Sequence, residues 1–198
     1  MTVLTSVCVY CGSSMGRDPI YVEAAEQLGR ALAEAGLTCV YGGGSIGLMG
    51  TVAQAALSAG GHVIGIIPQF LEKREVMLHS VTDLIVTDDM HERKRLMFEK
   101  SDAFVALPGG IGTLEEAVEM MTWAQLGQHR KPVLLANIGN FWSPLLELMD
   151  HMRTEAFIRP ETEVPYLVAE RIADVLPMLT HAVADSPALK AGTPVAQL

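Results

Sequence analysis

No stretch of the 198 residues reaches the roughly 18 consecutive apolar positions that a membrane span requires. No membrane partner is therefore expected. Basic residues are scarce: 14 Lys and Arg against 23 Asp and Glu leave a net charge of −9. A general nucleic-acid binder carries a basic face, and this balance argues against one. Cysteines number three, and the opening MTVLTSVCVYCGSS lacks the basic start and long apolar run of a signal peptide. The expectation is a reduced, cytoplasmic setting. No GxxxxGK[ST] occurs, so a nucleoside-triphosphate P-loop is absent. The six histidines form no HxxxH pair, so no metal site is expected. Cys8 and Cys11 do form a CxxC, but Cys8 falls inside an apolar run rather than at a helix start, which disfavours redox use.

What is present is a strict alternation of strand and helix patterns. Strands are predicted at 4–10, 37–44, 62–68, 83–89, 103–110 and 132–137, with a short last one within 164–169. Helices are predicted over 19–35, 47–59, 90–100, 113–126, 142–155 and 169–181. The strand runs are nearly continuous in apolar residues rather than alternating, as expected when helices cover both sheet faces. Repeated βα units imply an α/β fold with a doubly wound parallel sheet. One domain is expected over 1–181, followed by a loose tail over 182–198. Ligands of such sheets sit beyond the carboxyl ends of the strands.

Three strands end in small residues: CGSSMG (11–16), GGGSIGLMG (42–50) and PGGIGT (108–113). Glycine lets the backbone approach a phosphate closely, and the helix that follows offers unpaired N–H groups at a positive dipole end. One such loop is also what any tight βα turn needs; three on one sheet edge favour a phosphate-bearing ligand. Gly42, Gly44 and Gly47 match GxGxxG, but the next strand ends in IIPQF, without the acid that would hold a dinucleotide ribose. NAD and FAD are therefore disfavoured, no cofactor is expected, and a smaller ester such as a nucleoside monophosphate remains.

Carboxylates also cluster at this edge. In GTLEE, Thr113 and Glu116 have the spacing of a capping box, and Glu115 would suit a positive helix start. Against that structural reading stands location: an acid beside phosphate is repelled, unless it faces another part of the ligand where positive charge develops. MHERKRLMFEK (90–100) places Arg93, Lys94 and Arg95 near a helix N-terminus, against the macrodipole, and residues that break a local preference often mark a site. The helix 113–126 is apolar nearly all round, so a second cover from another subunit is plausible, giving a two-fold homodimer. Met90, Met97 and Trp123 would then help wall an apolar pocket for a flat base.

The combination of PGGIGTLEE with GGGSIGLMG, MHERK and TWAQLG resembles the Lonely Guy family, the cytokinin riboside 5′-monophosphate phosphoribohydrolases, over about residues 4–180. Members have been labelled lysine decarboxylases; the sequence has no pyridoxal signature. The resemblance implies a Rossmann-like homodimer that cleaves the N-glycosidic bond of a nucleoside 5′-monophosphate, yielding free base and ribose 5-phosphate. Carried over by motif, Arg93, Glu116 and Glu115 would be catalytic. Substrate would be held by Glu75, Arg93, Lys94, the run Gly109, Gly110, Ile111, Gly112, Thr113, Leu114, Glu115 and Glu116, and by Thr122. Ser13, Gly43 and Gly44 of the other glycine loops join them. The segment KREVMLHS departs from the family's usual form. The loops would grip the 5′-phosphate while the glutamates face a ribose that becomes oxocarbenium-like as the base leaves. The alternative is a non-catalytic nucleotide carrier on the same fold.

Overall fold

The computed structural model describes residues 3–71 and 77–185. Seven parallel strands form one sheet: β1 (Ser6–Tyr10), β2 (Thr38–Tyr41), β3 (Val63–Pro68), β4 (Asp83–Thr87), β5 (Ala103–Ala106), β6 (Val133–Ala136) and β7 (Leu167–Ala169). Between them run α1 (Ile20–Glu34), α2 (Gly47–Ser58), α3 (Met90–Glu99), α4 (Ile111–Gln125) and α5 (Ser143–Thr154), with α6 (Ile172–Asp185) following β7. Each predicted strand and helix is found, with ends shifted by a few residues. The helix placed at 169–181 instead runs from Ile172 to Asp185. The rest of the expected tail and Glu75 lie outside the described residues.

The strand order is β4-β3-β2-β1-β5-β6-β7. The chain builds outward from β1 to β4, then returns to place β5 on the other side of β1. This reversal is the switch point of a doubly wound sheet, and it opens a crevice beyond the carboxyl ends of β1 and β5.

Both faces of the sheet are apolar, which explains the unbroken hydrophobic runs. Val7 and Val9, with Val105, Leu134 and Ala136, turn toward α1, α2 and α6. Cys8 and Tyr10, with Phe104, Val133 and Leu135, turn toward α3, α4 and α5. The strand alternation of period two survives, but with apolar residues on both sides. At the amino edge, Asp102 ties β5 to β1: its carboxylate accepts from the N–H and hydroxyl of Thr5 and of Ser6, at 2.6–3.2 Å.

Gly29 sets the spacing of α1 and α2. A Cβ there would lie 2.3 Å from the Val52 carbonyl oxygen and 2.9 Å from the Ala55 Cβ. The helices meet nearly backbone to backbone, with no flexible group to yield. Gly29→Ala is expected to destabilise the fold by about 2 kcal/mol through overpacking, lowering the melting temperature by about 4–8 °C. An unchanged thermal transition would show that the two helices can slide apart without penalty.

Candidate active site at the sheet switch point

The crevice is built by three loops that hold one another. Gly12 N–H donates to the Pro108 carbonyl at 3.1 Å, and Leu107 N–H to that of Tyr10 at 2.9 Å. A Cβ on Gly109 would stand 2.2 Å from Thr113 Oγ1 and 2.8 Å from Gly12 N. Gly47, at φ +63°, passes so close to the β1–α1 loop that a Cβ would fall 2.2 Å from the Ser13 carbonyl carbon. These glycines are where backbones cross.

The crossing changes what each helix start can offer. At α2, the first-turn N–H groups of Leu48 and Met49 donate to the carbonyls of Ser14 and Gly12, at 3.4 and 3.3 Å. The start of α2 thus spends two of its N–H groups on the first loop. Gly43 is buried against Ile66 and Ile67, with its carbonyl accepting from Leu78 N–H, and Gly44 bridges to Met77. The start of α4 differs. Its N-cap is Gly110, with no side-chain cap, and around Gly110 and Gly112 a Cβ would meet open space. Ile111 is 82% exposed. This first turn is therefore uncapped and uncrowded, as an anion site requires.

The same geometry corrects the expected capping box. Thr113 is the third residue of α4, not its cap, and is buried. Glu115 and Glu116 therefore lie beyond the first turn. The helix that is boxed is α3: its N-cap Asp89 accepts from Glu92 N–H at 2.8 Å, and Glu92 reaches back to Asp88 N–H at 2.9 Å.

Opposite the α4 start, the basic run of α3 splits by position around the helix. Arg93 is buried, Lys94 is half-buried and Arg95 is exposed. Arg93 Nε donates to the Ile66 carbonyl at 3.1 Å, its Nη1 to Met90 Sδ at 3.4 Å, and Nη1 stands 3.6 Å from Glu116 Oε1. Both side chains of that ion pair are nearly enclosed, 9% exposed for Arg93 and 12% for Glu116. Lys94 Nζ donates to Glu115 in a short contact and lies 3.4 Å from Glu119. Burial works to lower the Lys94 pKa, but the hydrogen bond to Glu115 and the charges of Glu119 and Glu115 outweigh it, and the net shift is upward. Beneath the cluster, burial first, then the neighbouring Cys8 and Glu116, push the Tyr10 phenol well above its usual range. The structure thus brings Arg93, Lys94, Glu115 and Glu116 together from two helices.

Ser13 lies exposed on the β1–α1 loop, and Leu114 is half-buried on the core side of α4. Thr122 is exposed, its hydroxyl donating to the Val118 carbonyl at 2.7 Å. It lies six residues past Glu116, about 9 Å further along the helix. Met97 cannot wall a pocket: it is 1% exposed, in the core beneath α3. Trp123 packs edge-on against Phe98, with centroids 5.5 Å apart. Glu119 was not anticipated, although its spacing of four from Glu115 puts both on one helical face. Elsewhere, a groove of about 770 Å³ runs between α1 and α2, lined by residues such as Arg30, Thr51 and Gln54; none of the charged cluster lines it.

Gly42 also proves to serve the site. A Cβ there would stand 2.4 Å from Arg93 Nη2 and 3.0 Å from Met49 Sδ. The Arg93 guanidinium is buried and held by its own partners, so Gly42→Ala is expected to displace it at a cost of about 1–2 kcal/mol, lowering the melting temperature by about 2–8 °C. Steady-state kinetics should show kcat/KM reduced about 10- to 100-fold, since a shift of about an ångström at a positioned group has that effect. Wild-type kinetics would mean that the arginine position is not critical.

Residues 49–179 match the family model described as "Possible lysine decarboxylase". A relative from Rhodococcoides fascians, named cytokinin riboside 5′-monophosphate phosphoribohydrolase, is 48% identical over 168 residues, covering 84% of this chain and 85% of that one. The chain belongs to the Lonely Guy family. Among its plant members, LOG7 of Arabidopsis thaliana, which bears the same enzyme name, is 51% identical over 78% of this chain and 71% of its own. The probable phosphoribohydrolase LOGL2 of Oryza sativa subsp. japonica is 52% identical over 154 residues. The Lonely Guy chain described here spans 63% of the length of that rice relative. In solved structures the fold recurs in the Moco carrier protein of Chlamydomonas reinhardtii, with a TM-score of 0.70 at 21% identity, covering 92% of this chain and 99% of that one. The likeness to the carrier is one of fold.

Proposed function

We propose that this protein hydrolyses the N-glycosidic bond of adenosine 5′-monophosphate and its N6-modified forms, releasing free base and ribose 5-phosphate. The observation that carries the reading is the enclosed Arg93–Glu116 pair set opposite the open start of α4. About half-identity to relatives named as phosphoribohydrolases supports it.

The roles follow from charge. The uncapped first turn of α4, with open space around Gly110 and Gly112, binds the 5′-phosphate through its N–H groups. Glu116 and Glu115, one turn further in, face the ribose. The bond from C1′ to the base nitrogen breaks with its electron pair passing to the base, and the sugar gains oxocarbenium character. A fixed carboxylate stabilises that cation more than it stabilises the neutral ribose of the ground state. Water then bonds to C1′ and loses a proton to a carboxylate, and that proton passes on, through solvent, to the departing base, so that the added water is divided between sugar and base. Arg93 fixes Glu116 in place and contacts phosphate or the leaving base. Glu75, Ser13, Gly43, Gly44 and Thr122 complete the substrate contacts in this reading.

The finer readings are proposals of the same kind. Val118 on α4 is 39% exposed and Leu126, just past the end of that helix, 67%, apolar surface suited to a second copy in a homodimer. Cys8, Cys11 and Cys39 are all buried in the core, and a reduced, cytoplasmic setting is part of the same proposal.

Incubation with AMP and with N6-isopentenyladenosine monophosphate, followed by chromatography, tests the function. Free base and ribose 5-phosphate are expected from at least one. Saturable binding of both with no base released would replace the enzyme by a nucleotide carrier.

A further inference from the structure

Glu119 belongs to none of the motifs in the sequence, yet it shares a cation with Glu115. The Lys94 ammonium stands 3.4 Å from the Glu119 carboxylate and is hydrogen-bonded to Glu115. Of the two carboxylates Glu119 is the better enclosed: its side chain is 25% exposed, against 53% for Glu115, and Lys94 itself is 17% exposed. Ion pairs at such depth are screened less than surface pairs. The Glu119 charge also reaches inward, where it adds to the effects that keep the buried Tyr10 phenol protonated.

The cluster therefore sets three carboxylates against two cations, with one negative charge in excess. That excess works against binding a phosphate. A purely structural lysine anchor would need only Glu115. The extra charge gains a purpose if positive charge forms on the ligand during turnover, because a carboxylate that repels the ground state and attracts the transition state raises kcat at the expense of affinity.

We propose that Glu119 is a positioning residue for the glycosidic cleavage: it holds Lys94 against α4, keeps that lysine from competing with Arg93 for Glu116, and supplies the excess negative charge of the site. The inference rests on the hydrolytic reading given above. Glu119 touches Lys94 and acts through it, so its contribution is smaller than that of Glu116.

The test compares Glu119→Gln and Glu119→Asp with the wild type on AMP and N6-isopentenyladenosine monophosphate. For Glu119→Gln, kcat is expected to fall about tenfold while KM drops about threefold, the sign that a group repelling the ground state and favouring the transition state has gone. Calorimetry should show AMP binding about threefold tighter, because a repelling charge is gone. Glu119→Asp keeps the charge and should recover part of kcat. The melting temperature should move by less than about 3 °C, as for a partly exposed pair. A kcat equal to wild type, AMP binding that weakens, or Glu119→Asp no better than Glu119→Gln would overturn the proposal. If the wild type itself releases no base from either nucleotide, the hydrolytic reading fails first and this role falls with it.

Discussion

Glu116→Gln is expected to reduce turnover of AMP or its N6-modified forms about 100-fold or more, with little change in KM. Glutamine has nearly the shape of glutamate and can still present an oxygen to Arg93, so the packing at α4 is preserved. The negative charge beside the ribose is what disappears. Removing one preorganised electrostatic group of this kind lowers kcat by about 10²–10³. Stability should change less. Glu116 lies in the second turn of a helix capped at Gly110, so no helix-start energy depends on it. The exchange weakens an ion pair at 3.6 Å into a contact between a cation and an amide, a loss of about 1–2 kcal/mol. Kinetics on folded protein, with thermal unfolding run in parallel, check the expectation. Turnover within about threefold of wild type would remove Glu116 from the chemistry.

The sequence made the frame of this molecule legible because parallel α/β units are locally written. The strands β1, β2, β3, β5 and β6 are short, almost wholly buried runs such as VCVY or AFVA, and glycine or proline ends or follows each before the next helix begins. Topology then follows from chain order, and the switch point between β1 and β5 places PGGIGTLEE in the crevice. What was not legible depends on tertiary contact. The threonine of GTLEE and the aspartate of DDMHE offer the same acid spacing, and only the backbone decides which helix is boxed; Gly109 draws Thr113 inward, and Asp89 takes the cap instead. Likewise GGGSIGLMG looks like a phosphate cradle, but its helix N–H groups are consumed by Ser14 and Gly12, residues some 35 positions earlier. Gly42 reads as one more loop glycine, yet the guanidinium of Arg93, 51 positions later, packs against it. Glu119 carries no sign in the sequence because its partner Lys94 lies on another helix. Side-chain pairing across helices has no periodic signature, whereas burial does.

Arg93→Ala is expected to abolish measurable base release and also to destabilise the fold, two effects that a pair of variants can separate. The guanidinium is fixed at three points, on the Ile66 carbonyl, Met90 Sδ and Glu116, and it fills the space that Gly42 leaves. Truncation leaves Glu116 enclosed without this cation and withdraws a donor from the Ile66 carbonyl. Removing one partner of a buried pair destabilises by about 3–5 kcal/mol, so a melting temperature lower by about 6–20 °C is expected. On that result alone, lost activity could reflect lost structure. Arg93→Lys separates the two. Lysine returns the positive charge and much of the volume, and should restore more than half of the lost melting temperature. It cannot return the planar fork that bonds Ile66 and Glu116 together, because its ammonium is a point charge on a flexible stem. Turnover for Arg93→Lys should therefore stay at least about 100-fold below wild type even when the protein is fully folded, as for other misplaced electrostatic groups. If Arg93→Lys instead turned over AMP at close to the wild-type rate, positive charge alone would suffice at this position, and the fixed orientation of the guanidinium would have no part in the reaction.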